Sequence, residues 1–551
     1  MALRLRLLVS IILFVAATAT LPSTAAAQGS YRLAPVGGRT TLVGGTGLAY
    51  GHDSAAAFLN PATVVRVDSL RLAFSVNFYQ FSLVSAPNWY QPGPIDQSRF
   101  GNPSRDGAAI DNFDFDSLPG SLCLYFKVAD IGFLAREASK DLRERQARLG
   151  MCLASVQNGI YSFNDEGYSQ KTPFGVSRQA GSVRQSFRRF AIGPTYSMYV
   201  NNALAVGASL HFTRSSLRSI IGNTATLYGG GGAPMSSVLY NTSRGDSHAL
   251  TLTLGATYRI GSRQTVALAI ESPSLHLFGS GGVNNYSSFD GPGEDRSVGL
   301  AASGKFATQT PLRVSLGTGI EGSWGSAEVN VAFHTAVGAA YRADFEGRSI
   351  DRSGSTTIDR PVDFAQSARA RGAVNIGVGG EYFFNPSLSI LGGLSTDISA
   401  VPRGALGRDP FNFFPDDLNR AAASIGVGSH GQGGDLLLGG EFSYGWGDRL
   451  APNAYQVPAR LETTGVEQYA VLLVLAGSTS LKNIKRAVED VTKALDPTAP
   501  KTPAAKPAAP APPGPTAPSN PKDELPKNDA PKDVVPTLDP PGRPPKKQDK
   551  K

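Results

Sequence analysis

From His248 to Ile260 the chain alternates without a break. Leu250, Leu252, Leu254, Ala256, Tyr258 and Ile260 fall on one face, and Thr251, Thr253, Gly255, Thr257 and Arg259 on the other. Successive residues of a strand point to opposite faces, so this segment reads as a strand with one apolar and one polar side. About ten residues is also the length a tilted strand needs to cross an outer membrane, with lipid outside and lumen inside. A short turn, Gly261-Ser262-Arg263, follows, and Val266, Leu268 and Ile270 then oppose Ala267, Ala269 and Glu271. The same pattern recurs in Leu204, Val206, Ala208, Leu210 and Phe212, in Val329, Val331 and Phe333, and in Val374, Ile376 and Val378. It recurs again in Leu436, Leu438, Phe442, Tyr444 and Trp446, whose aromatic end suits an interfacial girdle. Beyond the N-terminus no run of about 18 apolar residues occurs, which excludes a helical membrane bundle. A soluble sandwich also alternates, but one of about 400 residues would exceed ordinary domain size and show linkers.

The expected fold is therefore all-β, an antiparallel transmembrane barrel over residues 69–480. Short turns near Asn201-Asn202, 261–263, 322–326, Asn385-Pro386 and 431–434 interleave with long polar loops near 86–119, 218–246, 278–295, 343–368, 401–418 and 449–466. That asymmetry matches short periplasmic turns and long extracellular loops. A plain count gives about fifteen strands, which would place the chain ends on opposite sides of the membrane. Taking Ser297 to Glu321 as one strand bulged at Pro311, where proline donates no ladder bond, gives about fourteen and puts every short turn on one side.

The flanks follow other rules. Residues 1–27 have the form of a secretory signal: Arg4 and Arg6, apolar Leu7 to Ala17, then Ala25-Ala26-Ala27. Residues 28–68 are rich in Gly and Ala, lack a strand pattern, and are expected to plug the lumen. Over 481–496, Leu481, Ile484, Val488, Val491 and Leu495 put one apolar stripe on a short helix expected at the barrel mouth. Residues 497–551 hold 17 Pro among Ala and Lys and should stay extended and disordered. The formal charge of +8 comes mostly from Arg4, Arg6 and this tail, which has 10 basic and 6 acidic residues. The body shows no clustered basic face of the kind that binds nucleic acid.

The stretch Gly44-Gly45-Thr46-Gly47-Leu48-Ala49-Tyr50-Gly51-His52-Asp53-Ser54-Ala55-Ala56-Ala57-Phe58-Leu59-Asn60-Pro61-Ala62 resembles the hatch of FadL-type long-chain fatty acid transporters of the outer membrane. In that family a Gly-Ala-rich stretch and an Asp lead to Asn-Pro-Ala just before the first strand. The resemblance extends loosely through a fourteen-stranded barrel with a Pro-interrupted strand, and it does not cover 481–551. It implies hatch or gate roles for Gly47, Asp53, Asn60, Pro61 and Ala62. The chemistry of those residues agrees: Gly permits close backbone packing, Pro61 fixes a turn and Asn60 can satisfy local backbone groups.

The function so implied is passive uptake of hydrophobic compounds, such as long-chain fatty acids, across the outer membrane of a Gram-negative bacterium. Both termini would be periplasmic. Loops would capture the ligand, an apolar pocket would hold it, hatch movement would open a path, and exit would be lateral into lipid. Trp89, Tyr90, Phe411, Phe413 and Phe414, with Pro415, are the candidates for the capture groove. One rival is an anchor whose tail reaches the cell wall; another is a polar-solute porin. Cys123 and Cys152 flank the charged stretch Arg136 to Arg148, and a fold-back midway would set them opposite each other as a disulfide pair. No cofactor or metal is expected. Gly45-Thr46-Gly47 with Gly51 lacks the dinucleotide spacing, and Gly229 to Gly232 lacks a following Lys-Ser or Lys-Thr. The 6 His are dispersed and no hydrolase motif occurs, so the chain is not read as an enzyme. An outer-membrane lipase would need lumen-side His211 or His334 as base; both are expected simply to line a polar lumen.

Overall fold

The computed structural model describes residues 36–67, 71–86, 110–128, 146–172, 175–228, 234–291, 293–402, 406, 416–431, 434–453 and 460–480. The leader, Trp89, Tyr90, Phe411, Phe413, Phe414, the stripe of 481–496 and the Pro-rich tail all lie outside the described residues. Within them no helix is long and apolar enough to cross a membrane.

Eighteen antiparallel strands form one sheet. The first six are β1 (Arg71–Ala86), β2 (Ile110–Lys127), β3 (Arg148–Thr172), β4 (Gly175–Tyr199), β5 (Leu204–Tyr228) and β6 (Met235–Ile260). Then come β7 (Gln264–Glu271), β8 (Leu275–Gly291), β9 (Glu294–Thr308), β10 (Arg313–Gly322), β11 (Gly325–His334) and β12 (Val337–Ser353). The last six are β13 (Thr356–Ala370), β14 (Ala373–Asn385), β15 (Leu388–Asp397), β16 (Asp416–Gly431), β17 (Gly434–Asn453) and β18 (Arg460–Ser480). β1 pairs with both β2 and β18, so the sheet closes on itself and leaves no edge at that join.

Eighteen segments occupy fourteen wall positions. β6 pairs with β7 along one end and β8 along the other. In the same way β7 and β8, β9 and β10, β11 and β12, and β13 and β14 each share one position. The strand expected from Ser297 to Glu321 is thus one wall position interrupted at 309–312, around Pro311. Arg71, the first residue of β1, is the partner of Ser480, the last of β18. The two ends of the wall therefore emerge on the same side, together with the tight turns at 261–263 and 323–324.

The faces follow the alternation. Leu252 and Leu254 are 40% and 48% exposed, whereas Thr251 and Thr253 between and before them are buried. Ile376, Val378, Ile425, Val427, Leu436 and Leu438 continue the outward apolar band. Trp324, Tyr382 and Phe384 lie near its turn end, and Trp446 and Tyr469 near the other, as aromatic girdles do at bilayer interfaces.

Three expected loops are different. Most of 218–246, 278–295 and 343–368 is strand, because β5–β6, β8–β9 and β12–β13 continue as long hairpins beyond the apolar band. Their polarity suggested loops, but a strand outside the bilayer has no reason to be apolar on its outer face. At their inner face Leu217, Val283, Phe306, Tyr341 and Phe345 form a buried cluster.

Candidate functional site: an internal segment, a cavity and an interrupted wall

Residues 36–67 fold as short pieces: helices Gly38–Leu42 and Ala56–Leu59 and a 3-10 turn Pro61–Arg66. Nearly all of it is buried. Its partners come from strands all round the barrel. Arg39 reaches Glu381 on β14, Gly47 and Ala49 reach Glu328 on β11, and Tyr50 reaches the Gly319 carbonyl of β10. Ser424 on β16 donates to the Leu42 carbonyl, and Asn60 reaches the Ala256 carbonyl of β6.

The wall makes room for this segment with glycines. Gly207 and Gly255 are register partners on β5 and β6. A methyl at Gly207 would lie 2.5 Å from the Pro61 carbonyl carbon, and one at Gly255 would collide with Asn60 Oδ1. Gly379 and Gly393, paired across β14 and β15, abut the backbone of Val43 and Gly44. Gly426 and Gly439, paired across β16 and β17, abut the Leu42 side chain.

Asn60 organises its own turn as well. Its amide nitrogen donates to the Leu48 carbonyl at 2.7 Å, and its Oδ1 accepts from Ala62 N at 3.2 Å. Pro61 begins the 3-10 turn, where its missing N–H is no loss, and Ala62 is fully buried. Asp53 holds the segment to itself: Oδ2 accepts from Thr40 N and Oδ1 from Thr40 Oγ1 and Ala55 N. Gly47 has φ 137, a backbone state that favours glycine.

Arg39 and Glu381 form an ion pair at 2.8 Å with side chains 6% and 3% exposed. Burial opposes the Arg39 charge, but Glu381 outweighs it and holds the guanidinium above its ordinary value. Burial, then the Arg39 charge, push the His52 imidazole below its ordinary value. Burial likewise pushes the Tyr50 phenol up. Glu381 also accepts from Ser389 and faces His430 Nε2, while His430 Nδ1 faces Asp435, which pairs with Arg71.

Cys123 and Cys152 are directly opposed on β2 and β3 and joined as a disulfide. The bridge lies on the inner face, packed with Ala56, Ala57, Phe58, Val64 and Tyr125.

A cavity of about 190 Å³ lies between the internal segment and the wall. Leu48, Phe58 and Leu59 contribute from the segment, and His211, Arg313, Asn330 and His334 from the strands. The ring of His211 stacks on Phe58 at 4.5 Å and its Nε2 has no hydrogen-bond partner among the described residues. Sequence reading placed both histidines on the lumen but missed Arg39, Glu328, Glu381 and Asn330. Their signal was present: each charged or amide group other than Arg39 sits on the polar face of an alternating strand.

The cavity touches the row at which four adjacent wall positions break. Glu271 pairs with Arg313, Arg313 with His334 and His334 with Ala373, each residue ending or beginning its strand. Beyond this row come Pro273, Pro311, Thr335-Ala336 and Arg371-Gly372. The prolines remove ladder donors. Side chains replace part of the ladder: Ser274 N donates to Thr310 Oγ1 and Thr310 N to Ser274 Oγ. On β8 just past the row, Leu275, His276, Leu277 and Phe278 are all exposed, against the alternation elsewhere.

A closed fourteen-position barrel with an apolar outer band, a polar inner face and a segment packed inside defines a transmembrane β-barrel of the outer-membrane type. Among solved structures it is similar to a FadL homologue of Pseudomonas aeruginosa, at 15% identity and a TM-score of 0.48, over 83% of this chain and 100% of that one. It is also similar to the toluene transporter TodX of Pseudomonas putida, at 14% identity and a TM-score of 0.49, over 82% and 99% of the two chains. A third is the toluene transporter TbuX of Ralstonia pickettii, at 14% identity and a TM-score of 0.43, over 82% and 99%. No family model and no curated protein matches the sequence.

Proposed function

We propose that the chain is a passive conduit for small hydrophobic compounds across the outer membrane, with residues 36–67 as its gate. The observation that carries this is the cavity, bounded on one side by the segment and on another by the interrupted wall. A compound captured at the long-hairpin end would rest in the cavity and leave sideways through the row of breaks into lipid. The apolar rim at Leu275, Leu277 and Phe278 suits such an exit. On this reading the tight turns and both wall ends face the periplasm. Asn60 holds the gate closed, because its side chain joins three parts of the segment and wall: the Leu48 carbonyl, the Ala62 amide and the Ala256 carbonyl.

Uptake by vesicles carrying the full chain tests the proposal. Toluene and a long-chain fatty acid should enter faster than in empty vesicles, sucrose should not, and Asn60→Ala should change the rate while leaving a heat-modifiable barrel. Sucrose entry as fast as that of toluene would instead make the protein a polar-solute porin.

A further inference from the structure

We infer that the lumenal cavity prefers a small uncharged ring compound bearing a hydrogen-bond donor, a phenol in the simplest case, to the matching hydrocarbon or carboxylate. This deepens the transport reading above and rests on it. A dry apolar cavity of about 150 Å³ accommodates benzene, so the space here, about 190 Å³, suits one substituted ring. Phe58, stacked on His211, with Leu48 and Leu59 offers an aromatic and apolar seat.

The polar lining decides the rest. Arg313 is held by Glu271 at 2.7 Å and donates to the Phe58 carbonyl at 2.8 Å. Arg189 donates from Nε to Ser215 Oγ at 3.0 Å, with its guanidinium over the Phe187 ring. Arg313 is thus engaged by the protein at both contacts, and Arg189 through its Nε. Among the other lining atoms, Asn330 Oδ1, in a residue 7% exposed, and His211 Nε2, in one 3% exposed, are buried with no hydrogen-bond partner among the described residues. An amide oxygen only accepts. A hydrocarbon leaves it desolvated and unpaired, a carboxylate meets it with like partial charge, and a hydroxyl donates to it. The imidazole nitrogen can take either role, according to its tautomer.

Calorimetric titration of the full chain in detergent with toluene, 4-methylphenol and 4-methylbenzoate tests this on one ring with three substituents. The phenol should bind about tenfold more tightly than toluene, the value of one net hydrogen bond. Asn330→Val should remove most of that preference and leave toluene affinity within about twofold. If Asn330→Val fails to assemble, His211→Phe, which keeps the stack on Phe58, should also narrow the preference. Equal affinity for phenol and toluene would overturn the inference, the orphan atoms then being satisfied by water. Tightest binding of 4-methylbenzoate would also overturn it and mark an anion site at the arginines. Vesicle uptake measured in parallel separates the two readings. Toluene uptake without phenol preference sinks this inference alone; tight phenol binding without uptake of any probe sinks the transport reading alone.

Discussion

Two residues of β6, Leu252 and Gly255, show opposite uses of one strand. Leu252 faces outward, and Leu252→Arg should cost about 2 to 4 kcal/mol if it lies near the bilayer midplane, the measured range for a lipid-facing charge. Refolding titrations into vesicles read this directly, with Leu252→Val expected to cost no more than about 1.5 kcal/mol. Gly255 faces inward, where the missing side chain is the seat of Asn60. Gly255→Ala should cost about 1 to 3 kcal/mol of overpacking, borne by the docking of the internal segment and not by the barrel. Faster amide exchange at Leu48 and Ala62 with unchanged heat-modifiability is the expected outcome; loss of the barrel itself would place Gly255 in wall assembly. Glu328 follows the same inward logic, since one carboxylate accepts from the amides of Gly47, Ala49 and Tyr50. A buried carboxylate with three backbone donors is satisfied in the way buried charge must be.

At the scale of elements, two joints matter. The first is a run of charges, Arg39–Glu381–His430–Asp435–Arg71, that links the internal segment to β14, β16, β17 and the start of β1. Such pairs, buried at Arg39–Glu381 and partly buried beyond it, add little net stability, but they give the segment one register against the wall. The second is the row of breaks. There, the reciprocal Ser274 and Thr310 bonds stand in for ladder bonds lost around the prolines. Thr310→Val keeps the shape and deletes one acceptor, which should cost about 1 to 3 kcal/mol. Amide exchange at Ser274 should rise while that of β6 stays slow. Unchanged exchange at Ser274 would mean that the break is held by packing of Val337, Ala340, Ala370, Ala373 and Ala400 instead.

For the whole molecule, closure through β1 and β18 means that no strand at that join depends on residues after Ser480. Truncation after Ser480 should therefore leave assembly and hydrophobic uptake near the parent level. The mixed charge of residues 497–551, 10 basic against 6 acidic, also allows weak, salt-sensitive association with acidic wall polymers. Co-sedimentation with purified cell wall, with and without salt, measures that separately. If truncation abolishes uptake with the barrel intact, residues after 480 belong to the gate.

Alternation alone determined the barrel and the faces of residues such as Leu252 and Thr253, because a period of two and a bilayer-length repeat are local properties of a strand, but its plain count was about fifteen. Parity, with Pro311, reduced that count to the fourteen wall positions observed. The position of Asn60-Pro61-Ala62 inside the wall was not legible as geometry. Gly207 and Gly255 lie 48 residues apart in sequence, and only strand pairing makes them one dent. The long hairpins were mistaken for loops because polarity separates lipid from water and not strand from loop. Arg39 meets Glu381 across 342 residues, and the cavity, its orphan Asn330 oxygen and the aligned row of breaks exist only when strands from distant parts of the chain are set in register. Those are long-range relations, and tertiary structure alone decides them.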